Sequence, residues 1–499
     1  MRSMLSNLRS GRLSRRLLSR SVFLCLSFVL SGALAGCVTN QATGKTQLAT
    51  LMSSDDEAAE GASAHPKIVK AYGGVYDNPA VAAYVAGVTQ RIAGATQLPK
   101  QPYRVTVLNT PVINAFALPG GYVYVTRGLL ALVDDEAELA GVLGHEIGHV
   151  IARHGAQRQT AALGTSLLGA VLGAVAGNGA VNQVMGLGGQ GLLAGYSRDQ
   201  EYEADSLGVH YLAGAGYDPY AQGDFLAAMD ENAKAEALIA GKSETGQSDW
   251  LASHPATPQR VAAARREAQA AQVPRGQGDR NREALFRAIN GMVYGDAPEQ
   301  GIVRGRSFIH PVHRFRFDVP QGYRIVNQSD AVYVSGPQKA QAKFDSGKNT
   351  SGQSVASYLA NVWADGVALS PVERFTLNGL PAASATTIIN GFNVMLVAVE
   401  VPDGTVYRFL LGEPKSVSPR NQDGLVSIAA SFRTISAAEA ASVRPMRVKI
   451  VTVKAGDSIA SLSSRMPFPD FQAERFRALN GLPAGAALHA GQSVKIIVQ

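Results

Sequence analysis

The chain has 499 residues, more than one hydrophobic core usually organises, so two or three domains are expected. Its formal charge of +7 suggests a nucleic-acid surface, but Arg2, Arg9, Arg12, Arg15, Arg16 and Arg20 all precede position 37, in a stretch with no acidic residue. Without them 40 basic residues face 39 acidic ones, and so neutral a body argues against a phosphate-binding surface and a nucleic-acid partner.

The arginine-rich start runs into an apolar segment from Val22 to Ala35 and ends on Leu34-Ala35-Gly36-Cys37. A positive region, an apolar region and small residues before a cut describe a secretory signal over 1–36, and the apolar run is shorter than the ~20 residues a membrane span needs. The Leu-Ala-Gly-Cys ending resembles the lipobox of bacterial lipoproteins. That resemblance implies lipidation of Cys37, attachment to the membrane through the lipid and, because Val38 and not Asp follows, the periplasmic face of the outer membrane. Cys25, the only other cysteine, lies inside the signal, so a mature chain has no intramolecular disulfide.

Residues 37–62 are small and polar and read as a tether. Apolar periodicity from Ile68 through Val81, Val85 and Val88 to Ile92 predicts a helix, followed by a strand from Tyr103 to Leu108. The run from Gly120 to Val125 alternates and is rich in aromatic and β-branched residues, as strands are. At a sheet edge beside a cleft, Gly121, Tyr122, Val123, Tyr124 and Val125 would pair with an extended peptide through the main chain; as an internal strand they would not.

Helices fill most of the chain from Asp135 to Glu267. Within it, Thr160 to Tyr196 has no charged residue and many glycines, which suits a flap, or a segment lying on a membrane or over the site. Pro274, Gly276 and Gly278 mark a linker, assigned to 271–300. Short alternating segments from 301 to 440 predict an α+β domain with a mostly antiparallel sheet and a helix near Ser354 to Trp363. Its Phe317-Asp318-Val319-Pro320-Gln321-Gly322-Tyr323 segment resembles PsbP-type domains. Residues 447–499, with Val451-Thr452-Val453-Lys454-Ala455-Gly456-Asp457, Leu479-Asn480-Gly481-Leu482 and Gly491-Gln492-Ser493-Val494, resemble a LysM module. That implies a βααβ fold and a glycan partner such as peptidoglycan.

The chemistry centres on His145-Glu146-Ile147-Gly148-His149. Residues four apart on a helix are rotated by only about 40°, so both imidazoles reach one metal from consecutive turns, with Glu146 beside them as general base. Asp134 and Asp135 offer N-caps, and Leu139, Leu143, Ile147 and Val150 form an apolar stripe. The helix should be buried, where two histidines and a glutamate are costly unless something such as a metal satisfies them.

A third histidine at position 155 is missing, since that residue is Gly155. His154 lies about 180° from His145 on the helical wheel and reads as structural. Glu201 is the better third ligand: Ser197 and Gln200 form a capping box that starts a helix four residues earlier, and Glu201 shares a face with Asp205. His145, His149 and Glu201 would then hold one Zn²⁺, leaving the fourth position to water, while Asp205 fixes the tautomer of a ligand imidazole. Glu203 faces elsewhere and reads as a solvated charge.

Asn114-Ala115-Phe116-Ala117-Leu118-Pro119-Gly120-Gly121, the His145 to His149 motif with Arg153-His154, Glu201 with Ala204-Asp205, and Ser253-His254-Pro255 with Arg260 together resemble the gluzincin metallopeptidases related to the CAAX prenyl protease and HtpX. The likeness is greatest to their BepA-like periplasmic lipoprotein branch. It implies a mostly helical zinc peptidase domain with a small sheet over 63–270, and zinc on His145, His149 and Glu201 with Glu146 catalytic. It also implies that His254 can approach the metal as an inhibitory fourth ligand. Expected substrates are unfolded or outer-membrane polypeptides. The rival readings are a non-proteolytic envelope scaffold and a peptidoglycan-associated cell-wall hydrolase.

Overall fold

The computed structural model describes residues 37–40, 43–48, 53–160, 195–239, 241, 250, 253–255, 257–417 and 422–499. The signal read over 1–36 and most of the glycine-rich stretch from Thr160 to Tyr196 lie outside the described residues. Among the described residues, no helix is long and apolar enough to cross a membrane.

The chain first forms a short antiparallel hairpin, β1 (Cys37–Thr39) with β2 (Thr46–Leu48). Helix α1 (Ser54–Ala71) follows, beginning inside the stretch read as a tether, because Ser53 and Asp56 form a reciprocal capping box that starts it. The single helix predicted from Ile68 to Ile92 is therefore two. Gly73 and Gly74, both at positive φ, interrupt it, and Asn78 with Pro79 restarts it as α2 (Pro79–Gly94).

A three-stranded sheet follows, formed by β3 (Arg104–Leu108), β4 (Ala115–Leu118) and β5 (Tyr122–Thr126) in the order β3-β5-β4. Strand β5 pairs in parallel with β3 and antiparallel with β4, so both its edges are taken. Gly121, Tyr122, Val123, Tyr124 and Val125 are thus not a free edge: Tyr122 to Thr126 is wholly buried, and the edge strands are β3 and β4. Helix α1 covers one face of this sheet, packing Ala64, Ile68, Val69 and Tyr72 against Leu108, Phe116, Leu118, Tyr122 and Tyr124.

Helices α3 (Arg127–Leu132), α4 (Glu136–Ile151), α5 (Arg198–Gly214), α6 (Ala221–Ile239) and α7 (Pro258–Ala270) build the body around the other face. Asp135 caps α4, accepting from the Glu138 amide at 2.9 Å. Of the residues in α4 only Val150 escapes full burial. Helices α4 and α5 meet through glycines: a β-carbon on Gly208 would lie 3.2 Å from the His145 amide nitrogen, and one on Gly144 3.4 Å from Gly208 Cα. This close approach brings the carboxylates of α5 within reach of the imidazoles of α4.

The segment after α7 wraps the body. Gly278 passes so close to Tyr217 and Asp218 that a β-carbon would meet the Asp218 nitrogen at 2.2 Å, and Arg280 pairs with Asp218 at 2.9 Å, Asp224 at 2.7 Å and Asp135 at 3.2 Å. Helix α8 (Arg282–Ile289) and strand β6 (Val293–Tyr294) follow. The next region holds a seven-stranded and a four-stranded antiparallel sheet over its own apolar clusters, with the predicted helix at Val355–Tyr358 continuing as one wider turn to Trp363.

The C-terminal unit is βααβ: strand Met446–Thr452, helices Ile459–Ser463 and Gln472–Leu479, strand Ser493–Val498. Its first strand pairs on its other side with β6, and its Val448, Phe476, Val494 and Ile496 belong to the same apolar cluster as Leu143, Phe225 and Trp250.

Candidate metal centre

Two turns of α4 place His145 Nε2 and His149 Nε2 3.0 Å apart. Helix α5, started by the Ser197–Gln200 capping box, brings Glu201 to face them: Oε1 lies 3.5 Å from His149 Nε2 and Oε2 3.7 Å from His145 Nε2. His254, in the turn before α7, supplies a fourth donor, its Nδ1 at 3.2 Å from His145 Nε2 and 2.9 Å from Glu201 Oε1. One ligand atom from each of the four lies within 4.8 Å of the others, and all four residues are buried.

These spacings are close to what zinc needs. Donors at 2.0–2.2 Å on a tetrahedron stand about 3.3–3.6 Å apart, and the separations here, 2.9 to 3.7 Å, bracket that range. The protonation pattern agrees: Asp205 Oδ1 lies 3.0 Å from His145 Nδ1, so the proton belongs on Nδ1 and Nε2 presents a lone pair to the other donors. Charge agrees as well. Glu146, Glu201, Asp205 and Arg260 are each at most 3% exposed, three anions against one cation, and a divalent ion brings the group to neutrality.

Glu146 is the group left over. Both its carboxylate oxygens are buried without a well-formed hydrogen bond, with the Trp250 indole beside them and His254 Nε2 at 3.7 Å. Burial raises its pKa above that of an ordinary glutamate, as suits a proton carrier.

Arg260 grips the cluster from behind. It donates to both oxygens of Asp205 at 2.7 and 2.8 Å and to the Pro255 carbonyl at 3.0 Å, and its Nη1 forms an ion pair with Glu201 Oε2 at 2.7 Å; Gln222 adds a 3.0 Å bond to Asp205. With its donors so engaged, it anchors acidic residues instead of facing a substrate. Trp250 stacks on His254 at 5.2 Å and Tyr196 on His149 at 3.8 Å. Burial pushes the Tyr196 hydroxyl up to about 12.

Two residues stand where the sequence did not put them. Helix α4 stops at Ile151, and Arg153 takes a left-handed conformation (φ 58°), which turns His154 back so that its Nδ1 meets His149 Nδ1 at 2.8 Å. His154 is buried and outside the four donors, as a structural histidine would be; its Nε2 lies 3.5 Å from Glu203 Oε2, and Glu203 is half-buried and so not the solvated charge expected. The helical wheel assumed helix through position 154. The break is the two-residue turn at 152–153, after which 154–160 is helical again, and Arg153 gives no local signal of it.

A helix carrying His-Glu-x-x-His, with a glutamate from a later helix converging on both imidazoles, is the site of a gluzincin-type metallopeptidase domain. Residues 79–268 match Peptidase family M48, and residues 451–496 match the LysM domain. Similar curated proteins include the mitochondrial metalloendopeptidase OMA1 of Arabidopsis thaliana, 41% identical over 127 residues (26% of this chain and 26% of that protein). The beta-barrel assembly-enhancing protease of Escherichia coli is 30% identical over 202 residues (38% and 40%), and OMA1 of Schizosaccharomyces pombe 32% over 187 residues (36% and 50%). The match thus spans about a quarter to a half of these relatives' lengths. Among solved structures, cyanobacterial PsbP (CyanoP) from Synechocystis covers 28% of this chain and 98% of its own at 12% identity, but its TM-score of 0.21 is too low to assign a fold.

Proposed function

We propose that the protein is a zinc-dependent endopeptidase of the bacterial cell envelope that cleaves unfolded or misassembled outer-membrane polypeptides. The observation that carries this reading is the buried carboxylate of Glu146, without a well-formed hydrogen bond, beside four converging metal donors: a purely structural zinc needs no base, and a buried carboxylate so poorly satisfied is costly unless it has work to do.

His145, His149 and Glu201 would hold the zinc, which when bound lowers the pKa of water to about 7 and polarises a carbonyl. Glu146 takes the proton from the attacking water and delivers it to the departing amine. Asp205, itself clamped by Arg260 and Gln222, keeps the His145 proton on Nδ1. Tyr196 is the donor for the developing oxyanion, since Arg260 is engaged elsewhere. The edge strand β4 is where a peptide would add by main-chain pairing, which favours extended chains with loose sequence preference.

Two features support a latent resting state. The slot between Ala117, Leu118 and Pro119 on one side and His149, Val150 and Tyr196 on the other encloses only about 30 Å³, room for a water or two and not for a peptide. His254, as a fourth donor, would take the position that a metal-bound water needs, so withdrawal of the His254 turn would open the site.

The LysM domain and the resemblance to the beta-barrel assembly-enhancing protease support an envelope location, with lipidation at Cys37 as the attachment and peptidoglycan as a partner. The test is cleavage of casein and of an unfolded β-barrel protein by wild type, Glu146→Gln and His254→Ala, with and without chelator. Wild type is expected to cut slowly, His254→Ala faster, and Glu146→Gln not at all while still binding zinc. Equal cleavage by Glu146→Gln and wild type would end the proposal.

A further inference from the structure

We propose that Glu203 and His154 form a positioning relay that fixes the tautomer of His149, the second metal-ligand imidazole. The inference rests on the metal-centre reading above and concerns a part of the site that Asp205 does not reach.

A carboxylate can only accept. Glu203 Oε2 lies 3.5 Å from His154 Nε2, a contact without full hydrogen-bond geometry, and the field of this adjacent carboxylate favours the ring proton on Nε2. Neutral His154 then presents a bare lone pair on Nδ1, 2.8 Å from His149 Nδ1. Two lone pairs cannot face each other at that distance, so His149 carries its proton on Nδ1, and His149 Nε2 is left free to face His145 Nε2, Glu201 and the metal. One carboxylate therefore orders two imidazoles in series. Asp205 does the same directly for His145, at 3.0 Å. Glu201, Glu203 and Asp205 all lie on α5, so a single helix supplies one ligand and the groups that orient both others.

Glu203 is itself held. Lys45 Nζ lies 3.7 Å from its Oε1. In the same hairpin the Asn40 amide donates to the Ile151 carbonyl at 3.1 Å, capping the end of α4. The stretch just after Cys37 is thereby part of the metal centre's scaffold, and α4 is gripped at its C-terminal end by the segment that would leave the membrane.

The experiment compares His154→Leu, His154→Gln and Glu203→Ala in the full chain, reading zinc affinity by competition with a chromophoric chelator and the melting temperature of the zinc-free protein. Leucine fills the space but breaks the relay, and a 10–100-fold loss of zinc affinity is expected. Glutamine offers an acceptor to His149 and a donor to Glu203, so it should restore most of that loss. Glu203→Ala, at a half-exposed position that tolerates truncation, should cost about tenfold. If leucine and glutamine at 154 bind zinc alike, or Glu203→Ala matches wild type, the relay is refuted; should His154→Leu fail to fold, the Glu203→Ala arm decides. A wild-type chain that takes up no zinc would instead overturn the metal-centre reading on which the relay rests.

Discussion

Lys495 offers a severe test of how the C-terminal unit is joined to the body. Its side chain is fully buried, and its ammonium donates to the carbonyls of Ala131, Leu132 and Val133 at 3.0, 2.8 and 2.8 Å, with Asp134 Oδ1 at 3.1 Å. Those carbonyls close helix α3, where the last turn has no internal donors. Lys495→Met keeps the length of the side chain and removes its charge and donors. Breaking one side of a buried ion pair costs about 3–5 kcal/mol. Arg282, 3.7 Å from the same Asp134 oxygen, remains as a partial partner, so the lower part of that range, about 3–4 kcal/mol, is expected. This is a large share of a typical folding free energy of about 5–15 kcal/mol. The assay is urea unfolding followed through Trp250 in a Trp363→Phe background, which leaves a single tryptophan, buried in the body and far along the chain from position 495. Because Trp250 and Val494 share one apolar cluster, the Trp250 transition should move to lower urea. An unchanged Trp250 midpoint would refute the argument, since the C-terminal unit would then unfold without the body noticing.

Further outcomes follow from the same kind of accounting. Burial, with His313 adjacent, pushes His310 down to about 4, whereas an unfolded histidine titrates near 6.5. Between those values the unfolded chain binds more protons, so stability present above pH 6.5 is lost as pH falls towards 4, by up to about 3 kcal/mol; His310→Phe should flatten that slope in denaturation series read through Trp363, and an unaltered slope would refute the assignment. A β-carbon on Gly61 would meet the Pro119 carbonyl oxygen at 2.0 Å, a backbone atom that cannot step aside. Gly61→Ala should therefore lift α1 from the β4–β5 turn and cost about 1–3 kcal/mol in thermal or urea unfolding, while a neutral effect would show that the contact is not needed.

The centre of the site was legible because its signals are local. Spacing by four put His145 and His149 on one helical face, and the Ser197–Gln200 capping box fixed the phase of α5, so Glu201 and Asp205 could be assigned to one face before any contact was known. The same kind of signal announced α1, since Ser53 and Asp56 have capping spacing, yet the small polar composition of the stretch argued for a tether and was given more weight. Alternation could identify β5 as a strand but could not say whether its edges were free, because pairing with β3 and β4 depends on segments whose order in a sheet no single strand encodes.

What the sequence hid is governed by single residues that reset the geometry. Wheel arithmetic from His145 is sound to Ile151; one left-handed residue, Arg153, then sends His154 back towards His149 and turns an apparently idle histidine into a neighbour of the metal site. The consequence spreads, because Glu203 acquires a partner only once His154 has turned, and the hairpin at Lys45 acquires a role only once Glu203 has one. Lys495 is hidden for the complementary reason: a lysine in a strand of a small module looks like a surface charge, and only the open end of α3, 364 residues away in the chain at Ala131, makes its burial affordable. In both cases a charged group is explained by an unsatisfied backbone or imidazole atom far from it in sequence, which is the information that periodicity and spacing cannot carry.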